Sequence, residues 1–231
     1  ARYAERRREL DDANRASPHV KRGLAITPVK FGISFTNSVL NQAGALVVLY
    51  RDGTAQVNHG GTEMGQGLNA KIAGIVMREL GLSAEHVRVM KTQTDKVPNT
   101  SATAASTGAD LNGAAVKAAC QTLRERLAPL AARLLRERGG GEVPHDDLVF
   151  LNGYARPGSV SGSVQVSLAD VCDAAYLGQV QLAATGFYRT PDITYDRKAG
   201  RGKPFHYFSH GVAICEVELD GLTGMKKVRR V

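Results

Sequence analysis

An α+β fold, with mixed sheets, hairpins and flanking helices, is predicted for these 231 residues by three observations. Stretches with apolar residues at helical spacing alternate irregularly with short β-rich runs. An Asp-Gly turn joins two of those runs into a hairpin, and further hairpins are expected downstream. The composition is that of a packed globular chain, 43% hydrophobic and 23% charged, with length for one large domain or two small ones.

The elements follow in order. Tyr3 to Ala16 holds good helix formers and no Gly or Pro, so a helix ends before Ser17-Pro18. Lys21 to Thr27 and Phe31 to Phe35 read as two short strands around Pro28. Ala45 to Tyr50 and Ala55 to His59 form a hairpin across Arg51-Asp52-Gly53-Thr54. Leu68, Ile72, Ile75, Val76 and Leu80 repeat at helical spacing and stop at Gly81, a C-cap. Val87 to Thr92 is a strand, and Lys96 to Gly108 a loop rich in Thr, Ser and Ala. Ala114 to Arg138 is a helix in which Pro129 predicts a kink or break. Residues 147–167 suggest a small hairpin, with Ser167 capping a helix over Leu168 to Ala175. Gln181 to Thr190 is a strand, Asp192 to Pro204 a polar loop, and His210 to Leu219 pairs with Met225 to Val231.

Composition narrows the function. The net charge of +8 is dispersed: residues 1–30, 117–138 and 189–231 each carry an excess of four basic residues. A nucleic-acid binder gathers its charge on one face, often interleaved with aromatics; this chain has no Trp and 6% aromatics, so no nucleic-acid partner is expected. No apolar run reaches the roughly 20 residues of a membrane span, so no membrane partner is expected either. Cys120, Cys172 and Cys215 are odd in number and lack CxxC spacing. That argues against a disulfide framework or a cysteine-only zinc site and for a reducing, cytoplasmic setting. The chain begins at Ala1 and stops inside the strand GMKKVRRV, as a piece of a longer polypeptide would.

Two segments carry chemistry. Gly60 to Gly67 (GGTEMGQG) joins a strand to a helix; its glycines permit positive φ and close approach, and Gln66 both donates and accepts hydrogen bonds. It lacks the Gly-Lys-Ser/Thr of a phosphate loop and the spacing of a dinucleotide fold, and a ligand-free turn would also explain it. Thr100 to Gly108 (TSATAASTG) is uncharged and precedes a helix starting near Asp110 to Ala114, so its hydroxyls and the helix-start amides suit a phosphate, or merely an N-cap. Phe35 and Thr36 offer an aromatic wall and a hydroxyl to a planar heterocycle, or a core side chain and a strand edge.

KRGLAITPVKFGISF, NQAGALVVLYRDGTAQVNHGGTEMGQGL, PNTSATAAS and GFYRTPDITYD together resemble the large, molybdopterin-binding subunit of bacterial xanthine dehydrogenases, in the xanthine oxidase family of molybdenum hydroxylases. The resemblance covers Lys21 to Val231. Residues 1–20 read as an N-terminal helix and linker, and the resemblance implies 21–231 as a partial molybdopterin-binding domain whose catalytic C-terminal part is missing. It implies that Met64, Gly65 and Gln66 meet the cofactor and that the Ala105 backbone lies beside molybdenum. Ser106, Thr107 and Gly108 would cradle the cofactor's phosphate end, while Ala104, Phe35 and Thr36 would line the purine site. It further implies FAD and 2Fe-2S clusters on other parts or an iron–sulfur/FAD partner subunit, an oligomeric enzyme, and hydroxylation of hypoxanthine and xanthine to urate with electrons passed to NAD. The family's base glutamate stands in a Gly-Val-Gly-Glu motif that is absent here, so no catalytic residue is expected in this stretch, which alone should be inactive and hold no cofactor tightly. Glu63 is assigned to hydrogen-bonding the glycine turn. Another molybdenum hydroxylase (an aldehyde oxidase or N-heterocycle dehydrogenase) or a stand-alone module for phosphate ligands are the alternatives.

Overall fold

The computed structural model describes residues 2–159 and 164–231. Its helices are α1 (Tyr3–Ala16), α2 (Leu68–Leu80), α3 (Gly108–Glu137) and α4 (Leu168–Leu177). Its strands are β1 (Val20–Ile33), β2 (Gln42–Leu49), β3 (Ala55–His59), β4 (Val87–Val89), β5 (Leu148–Leu151), β6 (Tyr154–Pro157), β7 (Val166–Ser167), β8 (Ala183–Arg189), β9 (Thr194–Asp196), β10 (Arg201–Lys203), β11 (Tyr207–Asp220) and β12 (Lys226–Arg230). The chain divides into two compact units, 1–32 with 207–231, and 33–206.

In the first unit a three-stranded sheet runs in the order β1-β11-β12. The predicted interruption at Pro28 does not occur, and one strand runs from Val20 to Ile33. β1 is an edge strand of that sheet. An edge tolerates proline because the missing N–H can fall on the unpaired side. Helix α1 ends at the expected place, with Ser17 already extended. Arg6 pairs with Glu216, both largely buried, and Arg22 Nε donates to Glu218 at 2.9 Å.

The second unit is built on a four-stranded sheet, β4-β3-β2-β8, backed by α2 and α3. The predicted hairpin forms, β2 pairing antiparallel with β3 from Ala45 opposite His59 to Leu49 opposite Ala55. Gly53 takes φ 81° in the turn. Ala45, Val47, Leu49 and Val57 alternate onto one face and are buried against Ile72, Val76 and Leu80 of α2 and the Ala115, Val116, Ala119 and Leu123 stripe of α3. The strand period of two and the helix period of 3.6 thus meet in one core. The sheet and α3 make backbone-to-backbone approach at Gly186 of β8, where an added Cβ would lie 1.9 Å from the Ala115 carbonyl oxygen.

Other details differ from expectation. Helix α3 starts at Gly108, slightly ahead of the expected start near Asp110 to Ala114; Leu111 and Asn112 are buried, and tertiary packing overrides the glycines at 108 and 113. No break occurs at Pro129, and the helix continues through it. Pro129 and Glu125 both lie on the exposed face, so water can satisfy the carbonyl that proline leaves without a donor. The polar loop from Asp192 contains a two-stranded ribbon, β9 with β10. Elsewhere, β5 and β6 pair across Asn152-Gly153 (φ 52° and 79°), β7 adds to β6, and Ser167 Oγ accepts the Asp170 N–H as the α4 cap. The sequence places the start of that hairpin's return arm at Ser161; residues 160–163 lie outside the described residues. Among the described residues no helix is long and apolar enough to cross a membrane.

Candidate cofactor-binding cleft

Strand β3 ends at His59 and α2 begins at Leu68, so the sheet and the helix fix both ends of the Gly60–Gly67 loop. Its glycines do two jobs. A Cβ on Gly60 would strike the Thr100 side chain at 2.0 Å, and one on Gly61 would strike Leu68 Cδ2 at 2.5 Å. Gly65 and Gly67 have open space around the Cβ position and instead need positive φ, 98° and 74°.

The second loop docks on the first. Thr103 Oγ1 accepts the Thr62 N–H at 2.9 Å, and Thr92 Oγ1 donates to the Gly61 carbonyl at 2.8 Å. A cavity of about 490 Å³ lies between the loops, lined by Met64, Gln66, Leu68, Lys71, Thr103, Ala104, Ala105, Ser106, Gly108 and Ala109. Two distant segments therefore face one hollow. Met64, Gln66, Ala104, Ala105, Ser106 and Gly108, all singled out from the sequence, stand around it. Gly65 sits between two lining residues. Thr107 is turned inward, 2% exposed, with its hydroxyl donating to the Ala104 carbonyl at 3.0 Å.

Phe35 and Thr36 do not line this cavity, though their segment is tied to it. Ser34 N–H donates to the Ala105 carbonyl at 3.4 Å. Asn41, buried, clamps Phe35 on both sides, its Oδ1 accepting the Phe35 N–H and its Nδ2 donating to the Phe35 carbonyl, each at 2.8 Å. Phe35 is half-buried and Thr36 exposed. Ser34, Ala105 and Ser106 all hold positive φ (128°, 52° and 55°). Each such non-glycine residue costs about 1–3 kcal/mol, and such strain gathers at functional sites.

The loop's polar groups are wired to one another. Glu63 accepts N–H bonds from Gly65 (3.0 Å), Gly67 (3.0 Å) and Asn69 (2.9 Å). These bonds, the Asn69 amide foremost, hold its carboxyl below the ordinary range. It is a fixture of the turn, as its position suggested. Gln66 Oε1 accepts the Met64 N–H at 2.6 Å and its Nε2 donates to the Thr62 carbonyl at 2.9 Å. One N–H and one lone pair remain for a ligand. Burial lowers the pKa of His59, against the opposing pull of Asn69 and Glu63. Sequence reading missed Lys71, the one charged side chain of the lining, although it stands one helical turn beyond Gly67.

The lining suits a flat polar heterocycle with an anionic tail. It has a carboxamide on one wall, small residues that leave the backbone accessible, and a helix start at Gly108. Among the described residues no group of three His, Cys, Asp or Glu side chains comes together to hold a metal ion. A metal here would be carried by its organic ligand.

Comparison with known proteins gives the class of domain to which this fold and cleft belong. Residues 1–231 match the molybdopterin cofactor-binding domain, and the chain belongs to that family. It is 44% identical over 225 residues to xanthine dehydrogenase/oxidase of Gallus gallus, covering 97% of this chain and 14% of that protein. It is 42% identical over 229 residues to xanthine dehydrogenase of Oryza sativa subsp. japonica, covering 99% and 15%. The chain thus spans about one-seventh of the curated relatives it matches. Among solved structures, quinoline 2-oxidoreductase from Pseudomonas putida 86 shares the fold, with TM-score 0.76, 21% identity, and coverage of 97% of this chain and 28% of that one.

Proposed function

We propose that the polypeptide carrying this chain is a xanthine dehydrogenase that hydroxylates purines in cytoplasmic purine catabolism, and that this chain forms one part of its molybdopterin cleft. The observation that carries the reading is the convergence of Gly60–Gly67 and Thr100–Gly108 on one amide-rich hollow whose one charged lining side chain is Lys71. The names of the relatives at 42–46% identity favour xanthine among the possible heterocycles. When bound, the molybdenum–molybdopterin group supplies the redox and oxygen-transfer chemistry of ring hydroxylation.

This chain's residues bind and orient. Gln66 offers its remaining N–H and lone pair to the pterin edge, with Met64 and Gly65 beside it. Ala105, which lines the cavity, would let its backbone lie beside the metal, because alanine leaves little to obstruct it. Ser106, Thr107 and Gly108 set the start of α3 against the phosphate end. Ala104, with Phe35 and Thr36 on the segment bonded to Ala105, shapes the purine side. The base, the iron–sulfur clusters and FAD belong to other parts of the polypeptide or to a partner subunit within an oligomer.

The test separates the two groups of residues in the intact polypeptide. Phe35→Ala should abolish xanthine turnover with molybdenum content unchanged, and Gln66→Ala should lower molybdenum per chain. Loss of metal in Phe35→Ala would make Phe35 a packing residue and refute its assignment to the purine site. An intact wild-type polypeptide that carries no molybdenum would refute the reading as a whole.

A further inference from the structure

We propose that His59 is a positioning residue for the cofactor loop: as a neutral imidazole it accepts the Gly61 N–H and donates to Asn69, fixing the first bend of Gly60–Gly67. The inference rests on the reading of that loop as a wall of the molybdopterin cleft, and it deepens it.

His59 is 2% exposed at the end of β3, opposite Ala45 of β2. Its Nδ1 lies 3.1 Å from the Gly61 nitrogen, which has its hydrogen to give, so Nδ1 must be the unprotonated nitrogen. Its Nε2 lies 3.1 Å from Asn69 Oδ1, which can only accept, so Nε2 carries the hydrogen. The two partners fix one tautomer between them. Asn69 in turn gives its backbone N–H to Glu63, the carboxylate that holds Gly65 and Gly67. The ring therefore joins the strand end, the first glycine bend and the start of α2 into one unit. That unit sets where Met64 and Gln66 face the cavity.

Leu68 and Asn69 of α2, Asn112 of α3 and Ala45 of β2, all uncharged, stand near the Gly61 bend and the ring. Glu63 is the charged group that bears on it, and it favours protonation less strongly than burial disfavours it. Protonating Nδ1 would put two hydrogens face to face and free the Gly61 amide. Because the folded pKa lies below histidine's ordinary value of 6.5, the clamp's contribution is complete above that pH. It is lost as pH falls below 6.5 and through the folded value.

The amide analogues split the two bonds. In the intact polypeptide His59→Asn puts an oxygen near the Nδ1 position and retains the Gly61 bond, whereas His59→Gln reaches toward Asn69 and loses it. Retained molybdenum per chain after prolonged gel filtration is the first readout, and hydrogen exchange of the Gly61 amide is the second. Wild type and His59→Asn should agree within about twofold. His59→Gln and His59→Leu should release the metal about tenfold faster, a difference of about 1.4 kcal/mol. Their Gly61 amide should exchange at least about tenfold faster. If His59→Leu fails to fold, the Asn–Gln comparison alone decides. Equal retention in all variants overturns the inference while leaving the molybdopterin reading intact. A wild-type polypeptide without molybdenum overturns the reading beneath it, and the exchange measurement then still tests the clamp. In wild type, the His59 nitrogens should keep the ¹⁵N signature of a neutral Nε2–H ring above pH 6.5; a protonated ring there would also overturn the inference.

Discussion

Gly186→Ala should destabilise the second unit strongly for the addition of one methyl group, and the size follows from geometry. The new Cβ would sit 1.9 Å from the Ala115 carbonyl oxygen and 2.6 Å from the Ala119 nitrogen, both backbone atoms of α3. No rotamer relieves that clash, so β8 and α3 must separate by more than 1 Å to reach the 3.4 Å of ordinary contact. Overpacking of this kind costs about 1–3 kcal/mol, and rigid backbone on both sides places it at the upper end. Replacing a strand glycine returns about 0.5–1 kcal/mol of chain entropy, which leaves a net loss of about 2 kcal/mol. For a domain of this size, that lowers the melting temperature by about 4–8 °C. Gly74→Ala is the matched control: it lies exposed within α2 with nothing within 4 Å, and it should gain about 1 kcal/mol. Far-UV circular dichroism melts of the two variants should move in opposite directions. The cleft should respond too, because α3 opens at Gly108, about two helical turns before Ala115. Molybdenum content of the intact polypeptide should therefore fall with Gly186→Ala and hold with Gly74→Ala. An unchanged melting temperature for Gly186→Ala would show that α3 rides on the sheet without the close contact, and the reasoning would fail.

Two further perturbations test the electrostatics. Glu63→Gln removes the charge from the three N–H bonds that depress the carboxyl's pKa below 4.5, so the wild-type advantage should be full above that value and shrink as pH falls through the lower folded pKa; urea midpoints measured against pH should converge at acid pH, and a constant gap would contradict the account. Burial pushes the Cys120 and Cys172 thiols up to about 12, so both should resist iodoacetamide at mildly alkaline pH in the folded chain and react once urea exposes them, as read by peptide mass mapping.

Local signals that agreed with tertiary structure were legible. Asp52-Gly53 sets the β2–β3 hairpin, Gly81 ends α2 in the left-handed region, and Ser167 caps α4. The β9–β10 ribbon was not legible, because its pairing runs through backbone groups in a stretch whose composition signals only a loop. The start of α3 was legible only to within a turn or so, because the cost of its glycines is offset by burying Leu111 and no local pattern reveals a burial partner. At the cleft, the residue types that must stay small or flexible were readable, since glycine and alanine in a strand-to-helix turn carry a backbone requirement. His59 and Lys71 were not. One acts through an amide that turns back on it two residues later, and the other enters the cavity only because α2 starts at the angle it does.

The helices α2 and α3 both begin at the cleft, and what their ends hold bears on how a charged ligand would lie. The start of α2 already holds a carboxylate: Glu63 accepts the Gly65, Gly67 and Asn69 amides, so a second anion there meets repulsion and finds those donors engaged. At the start of α3 the N-cap, Thr107, makes no side-chain cap bond. Ser106, Gly108 and Ala109 line the cavity. On the molybdopterin reading, the phosphate end belongs at α3 and the pterin edge faces Gln66, with Lys71 adding positive charge from the α2 wall. On that reading, the carboxylate that shapes the first loop would also steer the ligand's anionic end away from α2.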